Sequence, residues 1–215
     1  MSAGYEPLAL PSPFPPDVVW IGERYAPVLP AHQREREQER ANRLIALALE
    51  TLGVRSAGPL PHAESGARSW PEGVVGSVSH THTAVVVAAG PSAHYRTIGI
   101  DIERVDRELH PRIEERICRP EERQALTVLS HPEERRLRLL LTFCCKETLF
   151  KALSPLVRRY FGYQDARLEF EDDGKVRAGL VTDTLAPFKA GSTFPISTHI
   201  HGEYIYSGLA LPALQ

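Results

Sequence analysis

Ile98-Gly99-Ile100-Asp101-Ile102-Glu103 alternates isoleucine with small or acidic residues, and this stretch decides the fold. A period of two is the pattern of a strand buried on one face. The isoleucines take that face, so Asp101 and Glu103 point together to the other. Gly99, one pleat earlier on the acidic side, has no side chain and is expected to leave room for a ligand to approach the backbone. Two carboxylates at this spacing suit a hard cation such as Mg2+, with Mn2+ as a substitute. Such an ion keeps several waters and completes its shell with substrate phosphates.

Some forty residues on comes Phe143-Cys144-Cys145-Lys146-Glu147-Thr148-Leu149-Phe150-Lys151, within a helical pattern over 134–153 that is apolar nearly all round. Such a helix is expected to be largely buried. Glu147 and Lys151 are four residues apart and so share a face. Of the 25 basic residues only four are lysines, and Lys146 and Lys151 are two of them, which points to ammonium donors for phosphate rather than generic surface charge. Taken singly, an Asp-x-Glu pair is usually a solvated strand face, and a Glu/Lys pair four apart is usually a surface ion pair. Together, and on a helix too apolar for the surface, they point to chemistry on a pyrophosphate.

Working outward, the sequence reads as two halves. Residues 1 to about 31 form a proline-rich lead, extended and partly packed. A helix near 34–52 follows, with apolar Ala41, Leu44, Ile45, Ala48, Leu49 and Leu52, ended by Gly53 as a cap. A loop then runs through Pro71 to strands at 74–80, 83–89 and 97–103. Polar helix signals from Pro111 to Ser130 open the second half, and strands at 167–171, 175–180, 193–200 and 204–211 close it. Asp173-Gly174 and His201-Gly202-Glu203 are the hairpin turns. The expected fold is α+β, with an N-terminal subdomain over 1–104 and a C-terminal one over 105–215. His80-x-His82 and His199-x-His201 have the form of zinc ligand pairs, but the first reads as a strand end and turn, and the second as hairpin alternation without a third ligand.

Gly99-Ile100-Asp101-Ile102-Glu103 and Phe143-Cys144-x-Lys146-Glu147-Thr148-x-x-Lys151-Ala152 together resemble the signature pair of the Sfp-type 4′-phosphopantetheinyl transferases. Trp70-Pro71-Glu72-Gly73-Val74-Val75-Gly76-Ser77-Val78-Ser79-His80 is similar to a third motif of the group containing the enterobactin-type and actinobacterial enzymes. The likeness spans roughly residues 34 to 170. It differs by Cys144 where Ser is frequent, and by Thr148 where Ala or Ser is.

The resemblance implies two similar subdomains, each a small mainly antiparallel sheet on a helix, related by a pseudo-twofold axis within one monomer, with the active site in the cleft between them. It implies transfer of the 4′-phosphopantetheine arm of coenzyme A to a serine of an acyl or peptidyl carrier protein of polyketide, nonribosomal peptide or fatty-acid synthesis, releasing 3′,5′-ADP. Asp101, Glu103 and Glu147 would then hold Mg2+. Lys146, Lys151, Ser79 and His80 would bind coenzyme A, and Glu147, Lys151 and Asp101 would act in catalysis. Glu147 is also a candidate general base, directly or through a water. For the nucleotide 3′-phosphate, Arg34, Arg40 and Arg43 are candidates, because the family's Gly-Arg falls on Asn42-Arg43; a further basic position falls near His62, with Arg68 close by. By analogy, the segment Arg112 to Arg123, with Ile113, Ile117 and Leu126, is the docking element for an acidic carrier helix. The competing classes are a coenzyme A or nucleotide binder without transfer activity, and a Mg2+-dependent phosphohydrolase.

Composition agrees with a compact enzyme: 215 residues, 42% hydrophobic, with a net charge of −2 that gives no reason to expect nucleic acid. No lysine or arginine precedes Arg24, and prolines interrupt the apolar runs of the lead, so neither a signal peptide nor a membrane span is expected. Three cysteines without zinc spacing or a disulfide framework point to a reducing cytoplasm.

Overall fold

The computed structural model describes residues 6–27, 29–55, 58–63, 67–110, 112–157, 160–171, 175–183 and 185–214. The first sheet contains β1 (Glu6–Pro7), β2 (Val19–Arg24), β3 (Val74–His80) and β4 (Ala84–Pro91), all antiparallel, in the order β1-β2-β4-β3. One helix, α1 (Pro30–Thr51), covers it. Period two decides the packing of β4, which is buried on both sides. Val85, Val87 and Ala89 meet Leu44, Ile45, Ala48 and Leu49 of α1, whereas Ala84, Val86 and Ala88 face the other way.

That other face meets Ile98, Ile100 and Ile102 of β5 (Tyr95–Arg104), all at most 1% exposed. The alternation in the sequence is therefore the seam that joins the two halves. Between β5 and the remaining strands lie α2 (Ile113–Ile117), α3 (Pro120–Thr127) and α4 (Pro132–Leu153). The second sheet adds β6 (Ala166–Phe170), β7 (Lys175–Leu180), β8 (Thr193–His201) and β9 (Tyr204–Pro212), in the antiparallel order β5-β9-β8-β7-β6. Cys145, Leu149, Ala152 and Leu153 of α4 pack on Leu168, Val176, Ala178 and Ile196 of this sheet.

Several expectations change on this frame. β5, read with the N-terminal half, pairs with β9 from Tyr95 to Arg104, so by its ladder it belongs to the C-terminal sheet. The proline-rich lead contributes a full strand: β2 pairs with β4 from Val19↔Ala89 to Arg24↔Ala84. Its apolar run sits between prolines, whose density hid it. The polar helix signals after residue 111 resolve into two helices, α2 and α3. Pro120 lacks an amide proton and holds Arg119 extended at φ −68 and ψ 162, breaking the helix there. Gly53 caps α1 as expected; at φ 72 it takes the left-handed conformation that closes the last turn, its N–H donating to the Glu50 carbonyl at 2.9 Å. The His201-Gly202-Glu203 turn joins β8 to β9. The Asp173-Gly174 turn and Pro111 lie outside the described residues.

Gly99 does not open a path for a ligand. A Cβ there would stand 2.3 Å from the Thr148 carbonyl oxygen and 2.7 Å from Ala152 Cβ. The glycine lets α4 lie directly on β5, which is what brings α4 side chains to the acidic face of the strand.

Candidate functional site

β3 and β5 come from different sheets but run side by side, stitched by hydroxyls. The amides of Ile100 and Ile102 donate to Ser77 Oγ at 3.2 Å and Ser79 Oγ at 3.3 Å. Ser79 Oγ in turn donates to Asp101 Oδ1 at 2.9 Å. Lys151, near the end of α4, donates to Ser79 Oγ at 2.8 Å and to Asp101 Oδ1 at 2.8 Å. Three elements thus converge on one ammonium and one carboxylate.

Asp101 is 4% exposed, and its second oxygen, Oδ2, is buried with no hydrogen-bond partner among the described residues. A buried, half-satisfied carboxylate is costly unless a cation completes it. Glu103 stands beside it on the same face, half-buried and paired with Arg107. Burial, and then the charge of Asp101, push the Glu103 carboxyl up from its ordinary 4.5 to about 7 against the pull of Arg107. An orphaned carboxylate oxygen and a neighbouring carboxyl that ionises reluctantly are what a hard divalent cation would relieve, so Asp101 and Glu103 fit a metal. Glu147 does not stand with them: its Oε1 accepts a hydrogen bond from the Tyr163 hydroxyl. No cluster of three metal-ligating side chains forms among the described residues, so the expected convergence of all three carboxylates is not present.

Lys151 lies on the wall of a cleft of about 820 Å³ formed by α1, the loop before β3, β3, β5 and the end of α4. That volume is at the upper end of ordinary ligand sites. Of the expected residues, His80, Arg34 and His62 line it, as does Arg68. His80 is half-exposed and its Nδ1 lies 3.3 Å from Glu37 Oε2. Arg68 donates to Asn42 Oδ1 at 2.9 Å, which fixes it on the cleft wall.

Three expected residues face elsewhere. Arg40 and Arg43 both pair with Glu23 Oε1 on β2, and Glu23 is fully buried. The stripe of α1 that carries them lies against the sheet, and the neighbouring stripe, with Arg34 and Ala41, turns to the cleft. Arg40 is 7% exposed and stacks over the Tyr25 ring at 4.6 Å. Lys146 is 3% exposed, and its three protons are taken by the Ile117 carbonyl at 2.7 Å, Glu122 Oε2 at 2.7 Å and the Tyr163 carbonyl at 2.9 Å. Glu122 is itself bound by the amides of Arg119 and Leu168, at 2.7 and 2.8 Å. Lys146 is the post that ties α2, α3, α4 and β6 together rather than a donor to coenzyme A. Burial draws its pKa down, and Glu122 works against that shift.

Arg96, Glu37 and Tyr163 were missed from the sequence. Arg96 lines the same cleft as Lys151. A register shift between Tyr95 and Thr97 breaks the alternation there, so strand parity gave no signal for it. Tyr163 lies sixteen residues beyond Glu147 with no motif to mark it. Ser79, expected to bind coenzyme A, is 3% exposed, and its hydroxyl is the hub between β3, β5 and α4.

This ordering of acidic strand, lysine-bearing helix and preceding cleft wall is matched by known families. A model of the 4′-phosphopantetheinyl transferase superfamily matches residues 97–204, half of the chain, and a model of a 4′-phosphopantetheinyl transferase N-terminal domain matches residues 31–90. The chain belongs to the 4′-phosphopantetheinyl transferase superfamily. The boundary between the two matched segments falls just before β5, the strand that joins the second sheet. The 4′-phosphopantetheinyl transferase PptT of Mycobacterium tuberculosis is 31% identical over 169 residues, which are 78% of this chain and 73% of that protein. The 4′-phosphopantetheinyl transferase Npt of Nocardia iowensis is 34% identical over 151 residues, 68% of this chain and 64% of the relative. Svp of Streptomyces mobaraensis, of the same description, is 35% identical over 128 residues, 59% of this chain and 50% of the relative. The match therefore spans between 50% and 73% of these relatives' lengths.

Proposed function

We propose that this protein transfers the 4′-phosphopantetheine moiety of coenzyme A to a serine hydroxyl of an acyl or peptidyl carrier protein, releasing 3′,5′-ADP. The observation that carries this reading is Lys151, which lines a cleft with further cations on its α1 and loop sides and is held from behind by the buried Asp101 and Ser79. Family membership and the descriptions of PptT, Npt and Svp support it.

In the reaction the carrier serine oxygen attacks the β-phosphorus, and the bond from that phosphorus to the bridging oxygen breaks. The electron pair leaves with 3′,5′-ADP. The serine proton passes to a base, for which Glu147 on α4 is the candidate, directly or, where it serves as a ligand, through a water. Lys151 is placed to bind the pyrophosphate oxygens and the charge that grows on the leaving group. Ser79 and Asp101 hold that ammonium in place. Arg34, Arg68 and His62 are placed to take the nucleotide and its 3′-phosphate at the other side of the cleft. A divalent cation bound by Asp101 and Glu103, with Glu147 as third carboxylate, would supply charge neutralisation and Lewis acidity at the pyrophosphate.

For the carrier, Arg112 and Arg116 with His110, Ile113 and Glu115 line a shallow surface pocket at α2, whose two arginines suit an acidic amphipathic helix. The rest of the expected docking segment is committed to the fold: Ile117 and Leu126 are buried, and Arg119 binds Glu121 and the Gln164 carbonyl.

The test is to incubate the protein with coenzyme A, Mg2+ and an apo carrier protein, then weigh the carrier by mass spectrometry. A carrier heavier by one phosphopantetheine is expected. Cleavage of coenzyme A with an unchanged carrier would identify a phosphohydrolase, and binding with neither product would identify a binder.

A further inference from the structure

Glu147 sits one helical turn ahead of Lys151, yet its Oε1 accepts a hydrogen bond from the Tyr163 hydroxyl, and it forms no three-carboxylate cluster with Asp101 and Glu103 among the described residues. The position of Tyr163 is fixed by contacts that do not involve its hydroxyl. Its carbonyl accepts from Lys146 at 2.9 Å, its ring lies 6.1 Å from that of Phe143, and the Arg116 guanidinium stands 6.0 Å above it. The preceding amide, Gly162 N–H, donates to Asp165 Oδ2 at 2.7 Å and closes the turn. The phenol is thus delivered to Glu147 by a framework anchored on the buried Lys146–Glu122 pair. A hydroxyl donating to a carboxylate is a charge-assisted bond, stronger than a neutral one. Meanwhile Asp101 Oδ2 is left without a partner among the described residues.

We propose that Tyr163 is a positioning residue whose hydroxyl competes with a divalent cation at Asp101 and Glu103 for the Glu147 carboxylate, so that the ion would gain its third carboxylate only by displacing that hydrogen bond. This rests on the reading of Glu147 as a metal ligand. The hydroxyl competes with the ion for the carboxylate, so removing it should tighten cation binding rather than weaken it. A merely structural tyrosine would do the reverse or nothing.

The test measures Mn2+ affinity of the full chain by electron paramagnetic resonance for wild type, Tyr163→Phe and Glu147→Gln. Tyr163→Phe keeps the ring and the backbone anchor, and a melting curve checks that it folds. It should bind Mn2+ about five-fold more tightly, the worth of one competing hydrogen bond. Titrating wild type with Mn2+ should also produce a saturable tyrosine ultraviolet difference spectrum that Tyr163→Phe lacks. Affinity in Tyr163→Phe equal to or weaker than wild type would overturn the proposal while leaving the metal site standing. Unchanged affinity in Glu147→Gln would overturn the ligand reading beneath it, and the proposal with it.

Discussion

Lys151 Nζ lies 2.8 Å from Asp101 Oδ1, joining the end of α4 to the acidic face of β5 across fifty residues of chain. The contact exists because Gly99 lets the helix sit on the strand backbone. It is also open on one side, since Lys151 remains about a quarter exposed, at 27%, whereas Asp101 is nearly enclosed. An ammonium so placed can exchange part of its bonding for a ligand phosphate without leaving the carboxylate.

Replacing Asp101 should therefore remove activity while sparing the fold. Asp101→Asn keeps the shape and the Ser79 contact but loses the charge facing Lys151 and the cation. Transfer to a carrier should fall about a hundred-fold or more, the scale of lost electrostatic stabilisation in a transition state. Circular dichroism and carrier mass measured on the same preparation check this; undiminished transfer would remove Asp101 from the mechanism.

Lys146 should behave in the opposite way. Lys146→Met leaves Glu122 buried without its cation, which costs about 3 kcal/mol when one partner of a buried pair is removed. Urea unfolding should show that loss, while coenzyme A affinity at low temperature, measured on folded protein, should change little. Loss of affinity with full stability would instead place Lys146 on the ligand.

The arginines of α1 divide in the same manner. Arg40→Met leaves the buried Glu23 with Arg43 as its remaining cation and should lower stability by about 2 kcal/mol. Arg34→Ala, at an exposed cleft position, should leave unfolding unchanged and weaken coenzyme A binding several-fold, more at low salt than at high. Calorimetry on both variants separates the two stripes of the helix.

Glu103 gives the pH dependence. Its carboxyl is raised from 4.5 to about 7 in the folded protein, so between those values the folded state holds more protons than the unfolded one. The stability this group contributes is complete below about pH 4.5 and is lost as pH rises toward 7. Cation binding needs the ionised form and must run the other way. Mn2+ affinity should rise from pH 6 to pH 8 with release of a proton, measured by calorimetry in buffers of different ionisation enthalpy; a flat profile would count against Glu103 as a ligand.

Much of this was legible in the sequence because the decisive elements are periodic. The isoleucine alternation located β5 and its acidic face, and the apolar run located α4. What escaped depends on which side of an element meets its neighbour. Arg40 and Arg43 read as cleft cations because a helix stripe does not announce which neighbour it faces, and only the buried Glu23 on the unrecognised β2 settles it. Lys146 and Lys151 look alike in the motif, yet five positions on a helix turn one toward Glu122 and the other toward Asp101. Tyr163 arrives through a turn held from the far end by tertiary contacts, which no local pattern encodes.

The central claim is that the pyrophosphate of coenzyme A lies against Lys151 and a divalent cation held by Asp101 and Glu103. Phosphorus magnetic resonance of bound coenzyme A during Mn2+ addition tests it most directly. The pyrophosphate resonances should broaden well before that of the 3′-phosphate in wild type, and this preference should vanish in Asp101→Asn. Equal broadening of all three phosphates in both proteins would contradict the account.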